Sequence, residues 1–113
     1  MKKAFWLSFC DPARPKGQQF LGACIVEGDD IIQAVQMAHV KGCNPGGEVK
    51  GVQVVPATLR LIRDEWRNRL ISRDECRAFD QEVTRLQKEA EVSPPEEVEA
   101  AVLCPEDNKG LNA

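Results

Sequence analysis

Asn44-Pro45-Gly46-Gly47-Glu48 is the one stretch of this chain whose backbone is itself set up for a task. Successive N–H groups at Gly46 and Gly47 can form a nest that holds a phosphate or a carboxylate. Pro45-Gly46 also fits the centre of a type II turn, where glycine supplies the positive φ. Glu48 beside the turn opposes an anion. No Gly-Lys-Ser/Thr follows and the next element reads as a strand, so this is not a Walker loop. The plainer alternative is a tight turn that joins a helix to a strand.

Arginine supplies the second chemical signal. Arg60, Arg63, Arg67, Arg69, Arg73 and Arg77 fall within residues 57–79, interleaved with Asp64, Glu65, Asp74 and Glu75. On a helix, Arg63 and Arg67 would lie on adjacent turns and could grip an anion bidentately. Ion pairing with the neighbouring acids is the competing use of the same residues. Trp6 offers an indole for stacking. With no tyrosine and little aromatic interleaving, an RNA-stacking platform is not indicated.

Metal binding and catalysis find less support. His39 is the only histidine, with Cys43 four residues on, and two ligands do not make a zinc site. A nucleophilic pair of Cys24 or Cys43 with His39 is conceivable. No catalytic motif accompanies it, and a strand cysteine serves equally as a small apolar filler. The expectation is a non-catalytic protein with no metal and no cofactor.

Composition bounds the rest. The chain has 113 residues, 42% apolar, which suits one compact domain. A net charge of −3 does not mark a nucleic-acid binder. Residues 80–113 carry nine acids against three bases, so the basic segment abuts an acidic C-terminal third. No apolar run reaches the roughly 18–20 residues of a membrane span. The start resembles a lipoprotein signal, but its apolar stretch is short and bulky Phe9 precedes Cys10. Five cysteines without Cys-x-x-Cys spacing read as reduced thiols, and the expected location is cytoplasmic.

The elements that must position these residues follow from periodicity. Residues 3–10 and 18–27 alternate as strands around a turn-rich loop, Asp11 to Gly17. Phe5, Leu7, Phe9, Leu21, Ala23, Ile25, Val52 and Val54 are the expected core face. Trp6, Ser8, Cys10, Gly22, Cys24, Gly51 and Gln53 are the expected opposite face. Asp30 with Gln33 suggests a capping box for a helix whose stripe is Ile31, Ile32, Val35, Ala38 and His39. Lys41 lies in its last turn and Gly42 offers a left-handed exit. Val49–Val55 forms the third strand, stopped by Pro56. Residues 57–71 fit strand or helix, with composition favouring helix. Ser72-Arg73-Asp74-Glu75 is a clearer capping box. It opens a helix with the narrow stripe Cys76, Phe79, Val83, Leu86 and Ala90, suited to packing on this sheet or on a symmetry mate.

Trp6-Leu7-Ser8-Phe9, Phe20-Leu21-Gly22 with Ile25-Val26-Glu27, Asn44 to Val49, and Asn68 to Arg73 resemble the signature blocks of a small family of uncharacterised bacterial and phage proteins. The resemblance covers about residues 4–80 and brings no activity and no site residue. It implies a phage or mobile-element context, in which small proteins bind and sequester host proteins or nucleotide signals.

The expected architecture is α+β. A three-stranded, mainly antiparallel sheet in β-β-α-β order is followed by one or two helices, the last long and amphipathic. Residues 1–91 form the domain, and 92–113 an acidic, proline-containing tail with an optional short helix. The expected function is binding of a small anionic ligand such as a nucleotide, through Trp6, Asn44, Gly46, Gly47, Arg63, Arg67 and Arg69. A homodimer is expected, since the helical seam or the Trp6 face would gain from a partner. The alternative is a protein–protein module whose acidic C-terminal segment engages a partner or mimics nucleic acid. An enzyme with an unrecognised site stands third.

Overall fold

The computed structural model describes residues 2–90 and 99–103, together with Pro105 and Asn108. Four strands, β1 (Lys3–Cys10), β2 (Phe20–Gly28), β3 (Glu48–Val54) and β4 (Glu99–Leu103), form one sheet in the order β2-β1-β3-β4. Every neighbouring pair is antiparallel. Helix α1 (Ile31–Val40) carries the chain from β2 over β1 to β3, so β2 and β3 run parallel on either side of β1. A four-residue helix α2 (Pro56–Leu59), a single 3₁₀ turn (Asp64–Trp66) and the long helix α3 (Arg73–Glu89) follow. The α+β class, the antiparallel β-β-α-β sheet and the long helix α3 are as expected. The fourth strand is an addition. It lies inside the acidic segment 92–113, where a short helix was the option; the rest of that segment, apart from Pro105 and Asn108, lies outside the described residues.

The sheet is covered on both faces. Against α1 pack Phe5, Leu7, Phe9, Cys24, Val26 and Val49, with Ala34, Val35 and Ala38 of the helix. The opposite face carries Ile25, with Trp6 and Val54 at its margin, under Ile62, Trp66, Ile71 and Phe79. This corrects the expected faces of β2 and β3 by one residue. The register pairs Leu7 with Cys24 and Trp6 with Ile25, so Ala23 and Ile25 share the Trp6 face. Val52 lies opposite Trp6 and Gly51 opposite Leu7, so β3 is turned over as well. Ala23 to Val26 are all buried, and a strand buried on both faces shows no alternation from which to choose a side. A bulge opposite Phe9/Cys10 then returns Leu21 to the α1 side.

Local chemistry fixes the helix ends. Asp30 caps α1 by accepting the Gln33 N–H at 2.8 Å. The Gln33 side chain reaches the Asp29 N–H rather than that of Asp30, so the reciprocal half of the box is displaced by one residue. Gly42, at φ 75°, makes the left-handed exit. His39 and Ile32 do not join the buried stripe; His39 is exposed and Ile32 is 41% exposed. At α3 the full box forms, with Ser72 accepting from the Glu75 N–H and Glu75 from the Ser72 N–H.

Residues 57–71 are not one helix. After α2 the chain becomes extended at Arg63 and again at Arg67, and Asn68 adopts φ 58°. Tertiary pairing overrides propensity here. Ile71 exchanges backbone hydrogen bonds with Ala23 at 2.6 and 3.0 Å, and the Asn68 N–H donates to the Ile25 carbonyl at 2.9 Å. A helix could not offer β2 that partial partner, which shields an otherwise open sheet edge.

Candidate functional site

A groove of about 430 Å³ lies between the Trp6 face of the sheet, the start of α2 and one side of α3. Its apolar floor comes from Trp6, Val52, Ile62, Phe79 and Val83. Ser8 and Lys50 of the sheet, Thr58 of α2, and Asp80, Thr84 and Gln87 of α3 add polar groups. The Gln87 amide donates to the Thr58 hydroxyl at 3.3 Å, joining the two helices across one end. The Trp6 N–H donates to Ser8 Oγ at 3.0 Å. Phe79 stacks on Trp6 with ring centroids 5.1 Å apart and planes at 20°. One indole face is therefore taken, and a ligand would meet the rest of the ring.

Of the ligand contacts expected from the sequence, Trp6 alone lines this groove. The Asn44 turn sits beyond the Cys10 end of β1. Gly46 (φ 90°) and Gly47 (φ 78°) are both left-handed, and the Gly46 N–H donates to Asn44 Oδ1 at 2.9 Å. One of the two nest donors is thus already used. Asn108, fully buried, exchanges hydrogen bonds with the Asn44 amide and donates to the Gly47 carbonyl at 3.0 Å. The turn acts as a dock for the chain's own C-terminal segment.

The arginines are also engaged within the chain. Arg63 pairs with Glu65 and Glu82, each at 2.6 Å. Arg67 donates to the Leu59 and Ile62 carbonyls at 2.8 and 3.1 Å, satisfying backbone groups where the short helix ends. Arg69 spans the Glu65 carbonyl and the Glu75 carboxylate, and its guanidinium lies 5.2 Å from the Trp66 ring centroid. These contacts shape the 57–71 segment; they do not converge on Trp6.

The acids answer in kind. The Arg69 hydrogen bond, then the Ser72 backbone, hold Glu75 down at about 2. Glu82 is lowered chiefly by its bond to Arg63 and further by the Trp66 N–H. The unfolded Glu75 titrates near its ordinary 4.5, so its stabilisation is complete above that value and lost as pH falls toward about 2. Urea midpoints taken from about pH 6 to about pH 2.5 should therefore fall less steeply in Glu75→Gln than in the parent chain. Parallel curves would show that the Arg69–Glu75 pair adds nothing.

The Cys/His arrangement is not assembled. His39 is exposed on α1, whereas Cys24 and Cys43 lie in the core beneath that helix. Burial pushes the thiols of Cys10 and Cys76 upward, with Glu48 and Asp80 adding to the effect, so neither is poised as a nucleophile.

Sequence reasoning passed over Lys50, Thr58, Asp80, Thr84 and Gln87. A signal for part of this set was present. Asp80, Thr84 and Gln87 recur at helical spacing beside the Phe79/Val83 stripe, which puts a polar shoulder next to the apolar seam. Comparison with family models, curated proteins and solved structures finds no match, so the functional reading rests on the chain's own geometry. No helix among the described residues is long and apolar enough to cross a membrane.

Proposed function

We propose that this is a non-catalytic binding protein whose ligand occupies the groove between Trp6 and α3. The observation that carries the reading is the groove itself: an apolar floor with a few converging hydroxyl, amide and charged groups, at a size ordinary for small-molecule sites. Its charge narrows the ligand. Lys50 and Asp80 put one positive and one negative charge on the lining, each with a partner inside the chain, and Arg63, Arg67 and Arg69 are held by acids and carbonyls elsewhere. A polyphosphate would meet too little positive charge. A flat ring bearing a single anionic group, such as a nucleoside monophosphate or an aromatic carboxylate, suits the lining better.

The test is calorimetric titration of such compounds, chosen by a thermal-shift screen. Thr84→Trp on exposed α3 surface should fill the groove, leave the fold intact and weaken binding at least about tenfold, a loss of about 1.4 kcal/mol. A panel without a single binder, or a hit whose affinity Thr84→Trp leaves unchanged, would overturn the reading.

The partner-binding alternative is carried by the acidic segment alone. Because β4 pairs with β3 inside that segment, deleting residues 92–113 would also strip a strand from the sheet.

A further inference from the structure

The C-terminal segment of the chain rests in a built site along β3. β4 joins the sheet as an edge strand, with Leu103 opposite Val49, Val102 opposite Lys50 and Ala101 opposite Gly51. Leu103 packs against the core cluster under α1. Five residues on, Asn108 is 0% exposed and sits against the Asn44–Gly47 turn. The two asparagine amides pair reciprocally. Asn44 Nδ2 donates to Asn108 Oδ1 at 3.0 Å, and Asn108 Nδ2 donates to Asn44 Oδ1 at 3.3 Å. Asn108 Nδ2 also donates to the Gly47 carbonyl at 3.0 Å. The Gly46 N–H, donating to Asn44 Oδ1 at 2.9 Å, holds the receiving amide in place.

This chemistry is selective. Only a primary carboxamide both donates and accepts in that arrangement. A carboxylate would face the Gly47 carbonyl and Asn44 Oδ1 with acceptors alone, and an aliphatic side chain would strand buried donors and acceptors. Main-chain pairing along β3 supplies affinity, while the Leu103 and Asn108 anchors fix the register, which is how sheet edges recognise extended peptides.

We propose that the β3 edge and the Asn44–Gly47 turn form a peptide-docking site that also takes the 99–108 segment of a second copy of this chain, giving a dimer that exchanges β4. A second copy is the occupant because the contacts transfer whole. β4 ends the strand order, so its release leaves the β2-β1-β3 pairings in place. The bonds of Asn108 run to Asn44 and Gly47 and the pairing of β4 runs to β3, so none of them depends on which copy supplies α3. A released β4 leaves main-chain groups of β3 open, and an identical strand satisfies them. Exchange of an identical element repeats every contact at low energetic cost. The tether through residues 91–98 gives the chain's own segment an effective concentration on the order of millimolar. The monomer therefore prevails in dilute solution, and exchange in concentrated solution.

The test uses a fluorescein-labelled peptide of residues 99–113, titrated under reducing conditions into two full-length proteins. One is the parent chain. The other is Leu103→Asp/Asn108→Asp, whose own segment has lost both anchors. By fluorescence anisotropy the variant should bind the peptide at least about tenfold more tightly than the parent does, and a peptide carrying Asn108→Asp should bind at least about tenfold more weakly. In a second arm, unlabelled and isotopically heavy parent chains are unfolded together in urea and refolded at about 1 mM. Native mass spectrometry should find dimers of mixed mass. Those dimers should be absent minutes after the two folded proteins are combined, because exchange requires release of β4. This arm needs no substitution, so it decides the matter even if the double variant folds poorly. Absent or equal peptide binding in parent and variant, binding indifferent to Asn108, monomers alone after refolding, or mixed dimers on simple combination would each overturn the proposal.

Discussion

Phe79→Ala should destabilise the protein by about 3–5 kcal/mol, a large part of the stability of a domain this size. Phe79 is 6% exposed and is the one buried residue of α3. Its ring stacks on Trp6 and meets the Trp66 ring edge-on, with centroids 5.6 Å apart and planes at 76°. Cys76 and Val83, one helical turn to either side, are only partly buried and cannot replace it. Truncation leaves a cavity at the point where helix, sheet and the 57–71 segment meet. Because Trp6 and Phe79 both floor the groove, the same change should abolish ligand binding under the proposed function. Urea unfolding followed by tryptophan fluorescence checks the first part, since both indoles report on this contact. Phe79→Leu, which keeps most of the apolar volume, should lose less. A loss below about 1 kcal/mol would mean that α3 rides on the sheet without Phe79 as its anchor.

How far the sequence reveals this arrangement depends on which physical rule governs each part. Short-range rules are legible. The Ser72/Glu75 box, the Gly42 exit and the alternation of Phe5, Leu7 and Phe9 with Trp6 and Ser8 all appear in the structure. The faces of β2 are not legible, because Ala23 to Val26 are apolar on both sides and both sides are covered. Nor is the path of residues 57–71, where hydrogen bonds of Ile71 and Asn68 to β2 decide a conformation that composition alone favours as helix. The groove falls between these cases. Trp6 was visible as the polar face's large ring, but Thr58 and Gln87 are brought together only by the meeting of α2 with α3. The arginines show the opposite failure. Their spacing suggested a converging anion grip, and the nearby acids and open carbonyls took them first. The helical seam that suggested a dimer is likewise used within the chain, since Cys76, Phe79 and Val83 pack on the chain's own sheet.

Gly47→Ala should cost roughly 2–4 kcal/mol, while Gly46→Ala, one residue away, should cost only about 1–2 kcal/mol. Both glycines are left-handed, at φ 90° for Gly46 and 78° for Gly47, so the conformational strain of an added side chain is comparable. The surroundings are not. A Cβ on Gly46 would meet open space, whereas one on Gly47 would overlap the Cys10 carbonyl oxygen. That oxygen belongs to the end of β1, where the register already shifts between Phe9 and Cys10, so relief requires the central strand to move. The Gly47 carbonyl also accepts from buried Asn108, and displacing the turn would break that bond and leave a buried amide short of a partner. Thermal unfolding of the two variants therefore separates two roles for the glycine pair. If the turn served mainly as an anion nest, both substitutions would weaken ligand binding and neither would stand out in stability. A stability gap between them, with ligand affinity at the groove unchanged in Gly46→Ala, is the result expected of a turn that joins α1 to β3 and docks the C-terminal segment. Equal losses would show that the Cys10 contact yields easily and that strain alone sets the cost.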